Sequence, residues 1–550
     1  MKRKFLASML ALALCVSTVL TGCGGGSSNE STTTESTTTN DTATEDTSSE
    51  TTTDEVSYKK ELNVAITANP PSLDVHSVNS NIVAGIGTHI YEPLFALNGN
   101  YEVTPVLAEG YEVDETGLVY TIKLRQGVKF HNGQEMKADD VVASMTRWLE
   151  LSSKANTLIG GTVFEKVDDY TITMTVNQAA ADIMLVLAGP IQFAAIYPKS
   201  VVDAATPEGI PEYIGTGPYK LGEWKQDQYV QLVANPDYQV TTEEPSGFTG
   251  IKTAATETIY FRIVTDNATR IAGVQTGEYD IAESIPLEQY KDVSADANLT
   301  VPTKTAGTLN LFFNTTKGAL ANETMRQAVL AALNCEDIML AAYGDPDLYT
   351  LNPGWCNPKD AQWGSDAGKE YYSQNNVEKA KQLLTEAGYP DGFDLEVTVP
   401  SNYAFHMQTA EVAVEQLKAV GINAKINAVE WNTWLTDCYQ GRQYESTICG
   451  ITSDITPGYL LNRFVSTSSK NFINYSSQAY DEAYAKVEAA ATLEERAVYY
   501  KELQQILCED AASAFIQVAP LTIAMNKELG GYKFYPVYVQ DMSTIYWMSE

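Results

Sequence analysis

Four histidines, His76, His89, His131 and His406, are the side chains best suited to metal ligation or general-base work near neutral pH. Their spacing is too dispersed to suggest a metal site or a triad, so each reads as an isolated packing or surface residue. Beyond Cys23 the cysteines are Cys335, Cys356, Cys438, Cys449 and Cys508, an odd set without a CxxC. A Cys438–Cys449 disulfide is one pairing the sequence leaves open. No GxxxxGK[ST] is present to cradle a phosphate. Gly215-Thr216-Gly217-Pro218-Tyr219 is glycine-rich but lacks the third Gly of a dinucleotide-binding turn, and Pro218 stands where a helix would run. Neither a GxSxG elbow nor an HExxH helix occurs. These readings give no catalytic residue, no metal and no cofactor, and they point away from an enzyme.

Charge narrows the partners. The 550 residues carry 36 Lys+Arg against 70 Asp+Glu, a net charge of −34. A nucleic-acid binder needs clustered cations to displace counterions from phosphate, so nucleic acid is excluded as a partner. Electrostatic docking to anionic lipid is excluded for the same reason. Hydrophobic residues at 44% are enough to build a sizeable core, which sets the bulk of the chain apart from disordered sequences.

The first 57 residues read differently. Met1-Lys2-Arg3-Lys4 is basic, and an apolar run from Phe5 to Leu20 is too short for a comfortable span and fits a signal-peptide core. It ends in Leu20-Thr21-Gly22-Cys23, which resembles a bacterial lipobox. That resemblance implies cleavage after residue 22 and a lipidated Cys23. From Ser27 to Ser57, 19 of 31 residues are Ser or Thr and eight are acidic, with no Lys or Arg. Such a tract cannot bury enough apolar surface to offset its ordering entropy. Residues 23–57 are therefore expected to be a solvated tether with a root-mean-square span on the order of 30 Å.

From Tyr58 onward, periodicity places the elements. Leu62, Val64 and Ile66 alternate as a strand, as do Val119–Leu124 and Thr171–Val176. Ala138 to about Leu149 reads as a helix with Asp139 and Asp140 in its first turn, where carboxylates suit the helix dipole. Asn376 is a good N-cap for a helix over Val377–Ala387, which Gly388 is placed to stop. A strand at Phe393–Val397, a helix from about Gln408 to Val420, a strand at Ala424–Ala428 and a short helix at Trp431–Tyr439 follow. Helices near Ser477–Ala490 and Leu493–Leu507 complete an alternation that argues for an α/β lobe. Gly127 and Gly133 are expected to bracket a tight hairpin, Gly215–Tyr219 to turn into a strand, and Arg125 to form a structural ion pair.

Several segments resemble, in order, the extracytoplasmic solute-binding proteins of family 5, the dipeptide, oligopeptide and nickel receptors of ABC importers. Pro70-Pro71-Ser72-Leu73-Asp74 resembles its opening P-x-S-L-D-P, with Val75 in place of the last Pro. Tyr91-Glu92-Pro93-Leu94 and Pro105-Val106-Leu107-Ala108-Glu109 follow. Leu124-Arg125-Gln126-Gly127-Val128-Lys129-Phe130-His131-Asn132-Gly133 is the most distinctive stretch, continued by Ala138-Asp139-Asp140-Val141. Gly215–Tyr219, Asn235-Pro236-Asp237-Tyr238, Gln275–Asp280, Arg326-Gln327-Ala328 and Ala387-Gly388-Tyr389 complete the set.

The resemblance implies an α/β, two-lobed periplasmic-binding-protein-like fold (class II type), with an extra subdomain in the first lobe and a hinge between lobes. Lobe I is expected over 58–305, with an inserted subdomain at about 96–199, and again over 516–550. Lobe II is expected over 306–515, with hinge crossings near 304–309 and 516–520. In oligopeptide-binding relatives an Asp of the second lobe holds the peptide's α-ammonium. The matching run here is Ile451-Thr452-Ser453-Asp454-Ile455-Thr456-Pro457, which keeps the carboxylate at Asp454, loses the aromatic at Ile451 and has its Pro one residue sooner. Asp454, Ser453 and Thr452 are accordingly candidate contacts, while a turn-capping role is the alternative for Asp454. Asn79 and Asn81 fall in a first-lobe segment whose backbone pairs with extended peptide in relatives. His406 falls where some relatives place a His near the ligand. Trp434 is the candidate cleft aromatic, with core packing expected for at least one of Trp431 and Trp434.

The function so implied is capture of a solute, a peptide first of all, by a monomer tethered to the membrane through Cys23. The cargo would pass to an ABC permease and its ATPase subunits. The same fold holding an oligosaccharide or another non-peptide solute is the alternative, and nickel is disfavoured by the scarcity of imidazoles. A lipid-anchored adhesin or hydrolase is the rival of another class.

Overall fold

The computed structural model describes residues 60–548 except 239–242, 306, 356–362, 402–403, 453–456, 518–519 and 534–538. Cys23, the tether, Ser453 and Asp454 lie outside the described residues. Two mixed sheets organise the rest. The first has the strand Glu61–Ile66 at its centre, parallel to both Thr258–Ile263 and Ile281–Glu283. Antiparallel strands flank this parallel core: Tyr219–Lys225 and Tyr229–Ala234 on one side, Pro520–Asn526 on the other. The second sheet pairs Phe393–Pro400 in parallel with Ile422–Val429 and with Ser446–Thr452, then adds Gly307–Phe313 and Ser513–Gln517 antiparallel. A protein with two such open sheets, each covered by helices, is an α/β fold of two lobes.

Among the described residues, paired strands lie on both sides of the expected hinge. Thr303–Thr305 pairs with Pro520–Asn526 in the first sheet, and Gly307–Phe313 pairs with Ser513–Gln517 in the second. These two strand pairs flank the expected crossings on either side. A separate antiparallel sheet of Ala108–Val113, Val119–Leu124, Val163–Asp168 and Thr171–Thr175 packs on the helix Ala138–Leu151. Its alternating inward residues Ile122, Leu124, Ile172 and Met174 meet Val141, Met145 and Trp148 in one apolar core.

The sequence motifs turn out to be fastenings. Arg147 donates from Nη1 and Nη2 to the two carboxylate oxygens of Asp74 at 3.0 and 2.5 Å. Glu92 is buried and accepts from Thr216 Oγ1 at 2.9 Å and from Tyr238 Oη at 2.8 Å, drawing three motifs together. Gly215 is required there, because a Cβ would lie 2.0 Å from the Ile90 carbonyl oxygen. Asp280 accepts from the Asn63 amide at 2.7 Å and so ties the third parallel strand to the first. Gly127 and Gly133 both hold positive φ around the Lys129–Glu135 bridge.

Some expectations are corrected. Among the described residues Arg125 donates to the Val106 carbonyl at 3.0 Å, where an ion pair was expected. Cys438 and Cys449 are separate buried thiols, and Cys449 Sγ donates to the Gly450 carbonyl. Burial pushes the Cys438 thiol up to about 11 and that of Cys449 up to about 12. The helix expected from Gln408 begins a turn earlier, as Ala404–Ala419. The expected Trp431–Tyr439 helix passes after Thr433 into a π-helix, Trp434–Gln440. No helix among the described residues is long and apolar enough to cross a membrane.

Candidate binding cleft

Parallel strands bring their carboxyl ends to one edge, and side chains from different segments converge there. At the edge of the first sheet stand Ile66 and Glu283, each the last residue of its strand. The helix Asn81–Ile90 begins beside them, and its N-cap Ser80 makes no side-chain cap. The crossing strand contributes Leu521 and Ile523, and Gln540 comes from the C-terminal segment. Together these residues line a cavity of about 300 Å³.

Glu283 is held in place from below. Arg270, on the helix Asn267–Thr276, is buried and donates from Nε to the Glu283 carbonyl at 3.2 Å and from Nη2 to the Ser284 carbonyl at 3.1 Å. Nη1 donates to the Val264 and Thr265 carbonyls at 2.9 and 3.2 Å, and Nη2 also reaches Asn267 Oδ1 at 2.7 Å. Ser284 has φ 53°, a left-handed conformation that turns the chain sharply after the strand. Beyond it, Thr522 Oγ1 donates to the Ile285 carbonyl at 2.6 Å and so joins this loop to the crossing strand. Burial raises the Glu283 carboxyl to about 7, with the Arg270 charge only partly opposing it.

Gln540 is 4% exposed. Its Oε1 accepts from Tyr532 Oη at 2.5 Å. Its Nε2 has no hydrogen-bond partner among the described residues. A buried amide NH₂ without an acceptor carries a desolvation cost that a bound acceptor would remove.

Of the residues singled out in the sequence, Asn81 lines this cavity and Asn79 is exposed just before it. Thr452 ends the strand Ser446–Thr452, opposite Gly307. His406 is 2% exposed, and its Nε2 accepts from the Gly450 amide at 3.1 Å. Burial lowers its imidazole to about 4. Trp434 is likewise 2% exposed; its Nε1 donates to Thr447 Oγ1 at 2.8 Å, and its ring stacks on Trp431 with centroids 5.1 Å apart. Glu283 and Gln540 escaped the sequence reading. The signal for Glu283 was a lone carboxylate closing an apolar run, Ile281-Ala282-Glu283, just past the Gln275–Asp280 motif. Gln540 gave none, because its role depends on where the C-terminal segment returns.

Known proteins resemble this chain over most of its length. Residues 102–472 match the family described as bacterial extracellular solute-binding proteins, family 5 middle. The chain is 28% identical over 499 residues to the glutathione-binding protein GsiB of Salmonella paratyphi A, covering 87% of this chain and 92% of that protein. The structure of HbpA2 from Haemophilus parasuis superposes with a TM-score of 0.76 at 26% identity, over 89% of this chain and all of that one. The ABC transporter substrate-binding protein CtaP of Listeria monocytogenes gives 0.78 at 23% identity, over 90% of this chain and all of that one.

Proposed function

Because the chain belongs to the family 5 bacterial extracellular solute-binding proteins, we propose that this ABC-importer binding protein captures a peptide between its lobes and hands it to a permease. Members of the family are extracytoplasmic binding proteins and not enzymes. The observation carrying the peptide reading is the lining of the first-lobe cavity. It sets a carboxylate, amide groups and an uncapped helix start against the apolar side chains of Ile66, Ile82, Ile86, Phe261, Leu521 and Ile523. A peptide offers the matching mixture of charged terminus, carbonyls and apolar side chains. The relative GsiB is named for glutathione, itself a tripeptide.

The proposed architecture places lobe I at 58–305 and 516–550, with an insertion at about 96–199, and lobe II at 306–515. The strand pairs that flank 304–309 and 516–520 support a hinge there, since a few residues at element ends can absorb closure. In the closed form Asn79 and Asn81 contribute from the first lobe. Asp454, Ser453 and Thr452 contribute from the second, with Asp454 facing an ammonium. His406 and Trp434 brace the strand Ser446–Thr452 through Gly450 and Thr447. The protein acts as a monomer anchored through lipidated Cys23.

Thermal-shift screening against peptide, glycan and metal libraries tests this reading, because a ligand bound only by the folded state raises the melting midpoint. Stabilisation by short peptides is expected. Stabilisation by glycans alone would overturn it.

A further inference from the structure

Asp182 and Arg496 meet across the two lobes. Asp182 precedes the helix Ile183–Leu187 of the inserted subdomain and makes no side-chain cap on it. Arg496 lies near the start of the helix Leu493–Glu509, which packs on Gln478–Ala489 and on Ser513–Gln517 of the second sheet. Arg496 Nη1 stands 2.7 Å from Asp182 Oδ2, and the two side chains are only 6% and 15% exposed. A cation at this end of a helix opposes the helix dipole, and a buried cation needs a partner; Asp182 answers both costs. One apolar cluster joins Ile183 and Leu187 of the insertion to Leu460, Tyr484 and Tyr500 of the second lobe. Burial raises the Tyr484 and Tyr500 phenols, and the charges of Asp182 and Arg496 act on each.

Resting on the two-lobed closure above, we propose that Asp182 and Arg496 are a latch that holds the insertion of the first lobe against the second. In the closed form each charge has the other; in the open form each regains water. Deleting one partner therefore penalises the closed form alone, because the remaining charge stays buried there. The latch also abuts the candidate ligand segment. Tyr484 Oη donates to the Gly458 carbonyl at 3.1 Å, and Tyr480 Oη to the Leu461 carbonyl at 2.8 Å. A Cβ at Gly458 would lie 2.7 Å from Tyr500 Oη. These contacts seat the helix Pro457–Leu461, which follows residues 452–454 in the chain, on the tyrosines that flank the latch. Capture at that segment and closure are thereby coupled.

Small-angle X-ray scattering of the full chain, alone and with a mixture of tri- to pentapeptides, tests the latch. Asp182→Asn leaves Arg496 buried and unpaired, and Arg496→Met does the same to Asp182. Each is expected to shift the balance about ten-fold towards the open form, and so to raise the radius of gyration, while keeping one cooperative melting transition. The double variant strands no charge and should return towards the wild-type radius. Should Arg496→Met lose its cooperative transition, Asp182→Asn, which keeps the side-chain shape, decides alone. Wild-type radii in the single variants, or a double variant as expanded as they are, would overturn the latch. If peptides nevertheless compact the wild type, closure around a peptide still stands. If neither substitution nor peptide changes the radius of any chain, both fall.

Discussion

Asp74 and Arg147, 73 positions apart, meet in a two-point buried ion pair that fastens the opening motif to the helix Ala138–Leu151. Asp74 is fully buried, and Tyr197 Oη and the His76 amide also approach its Oδ1, at 3.3 and 3.2 Å. Burial by itself would raise the Asp74 carboxyl; the Arg147 hydrogen bonds and charge outweigh it and hold the group below the usual carboxylate range. Breaking a buried pair from one side strands a charge. Arg147→Met is expected to destabilise the protein by about 3 to 5 kcal/mol. Chemical denaturation at pH 7 measures this. A loss below about 1 kcal/mol would show that the pair does not fasten the two segments.

Glu283 should give the fold an unusual pH dependence. Its folded value of about 7 lies above the ordinary 4.5, so between those values the folded state binds more protons than the unfolded one. The stabilisation from its protonation is present below about 4.5 and is lost as pH rises through 7. From pH 5 to pH 8 the ligand-free protein should lose about 1 to 3 kcal/mol through this group. Glu283→Gln should remove that part of the slope. Denaturation midpoints of wild type and variant at both pH values supply the comparison, and parallel slopes would refute the assignment.

The histidines act in the opposite sense. Burial lowers His76 to about 3, and His131 and His406 to about 4. Below the unfolded value of 6.5 the unfolded chain therefore binds the extra protons, and stability falls as pH drops. His406→Gln keeps an acceptor for the Gly450 amide but cannot take up a proton. Relative to wild type, the variant should lose about 2 kcal/mol less stability between pH 7 and pH 5. Urea titrations at the two pH values would reveal an unchanged loss, if His406 already titrates normally in the fold.

Local pattern made much of the fold legible. The Asn376 cap, which accepts from the Lys379 amide at 2.9 Å, and the stop at Gly388, with φ 86°, are written into adjacent residues. The strand Glu61–Ile66 shows its alternation directly. What the sequence hid is what depends on distant partners. Arg125 looked like an ion-pair residue, but the carbonyl it meets belongs to Val106. Asn81 was reachable through its place after the opening motif, whereas Gln540 joins the same cavity from 459 positions away. Spacing arguments see neighbours within a helix or strand and are blind to such returns of the chain.

Arg270 carries the most specific demand of all, because it holds Glu283 without touching the cavity's contents. Its guanidinium supplies five contacts to four carbonyls and the Asn267 side chain, and these span both sides of the strained Ser284 turn. A lysine ammonium is a point charge with three donors and cannot reproduce that planar fork. Arg270→Lys should therefore leave several buried carbonyls unpaired and destabilise the fold by about 1 to 3 kcal/mol. It should also loosen the backbone at Glu283, so affinity for the preferred ligand falls although no ligand contact has been deleted. Calorimetry on Arg270→Lys, Glu283→Gln and the double variant separates the two roles. If Arg270 works through Glu283, the double variant binds no worse than Glu283→Gln alone. Additive losses would mean that Arg270 supports the cleft by some route other than Glu283.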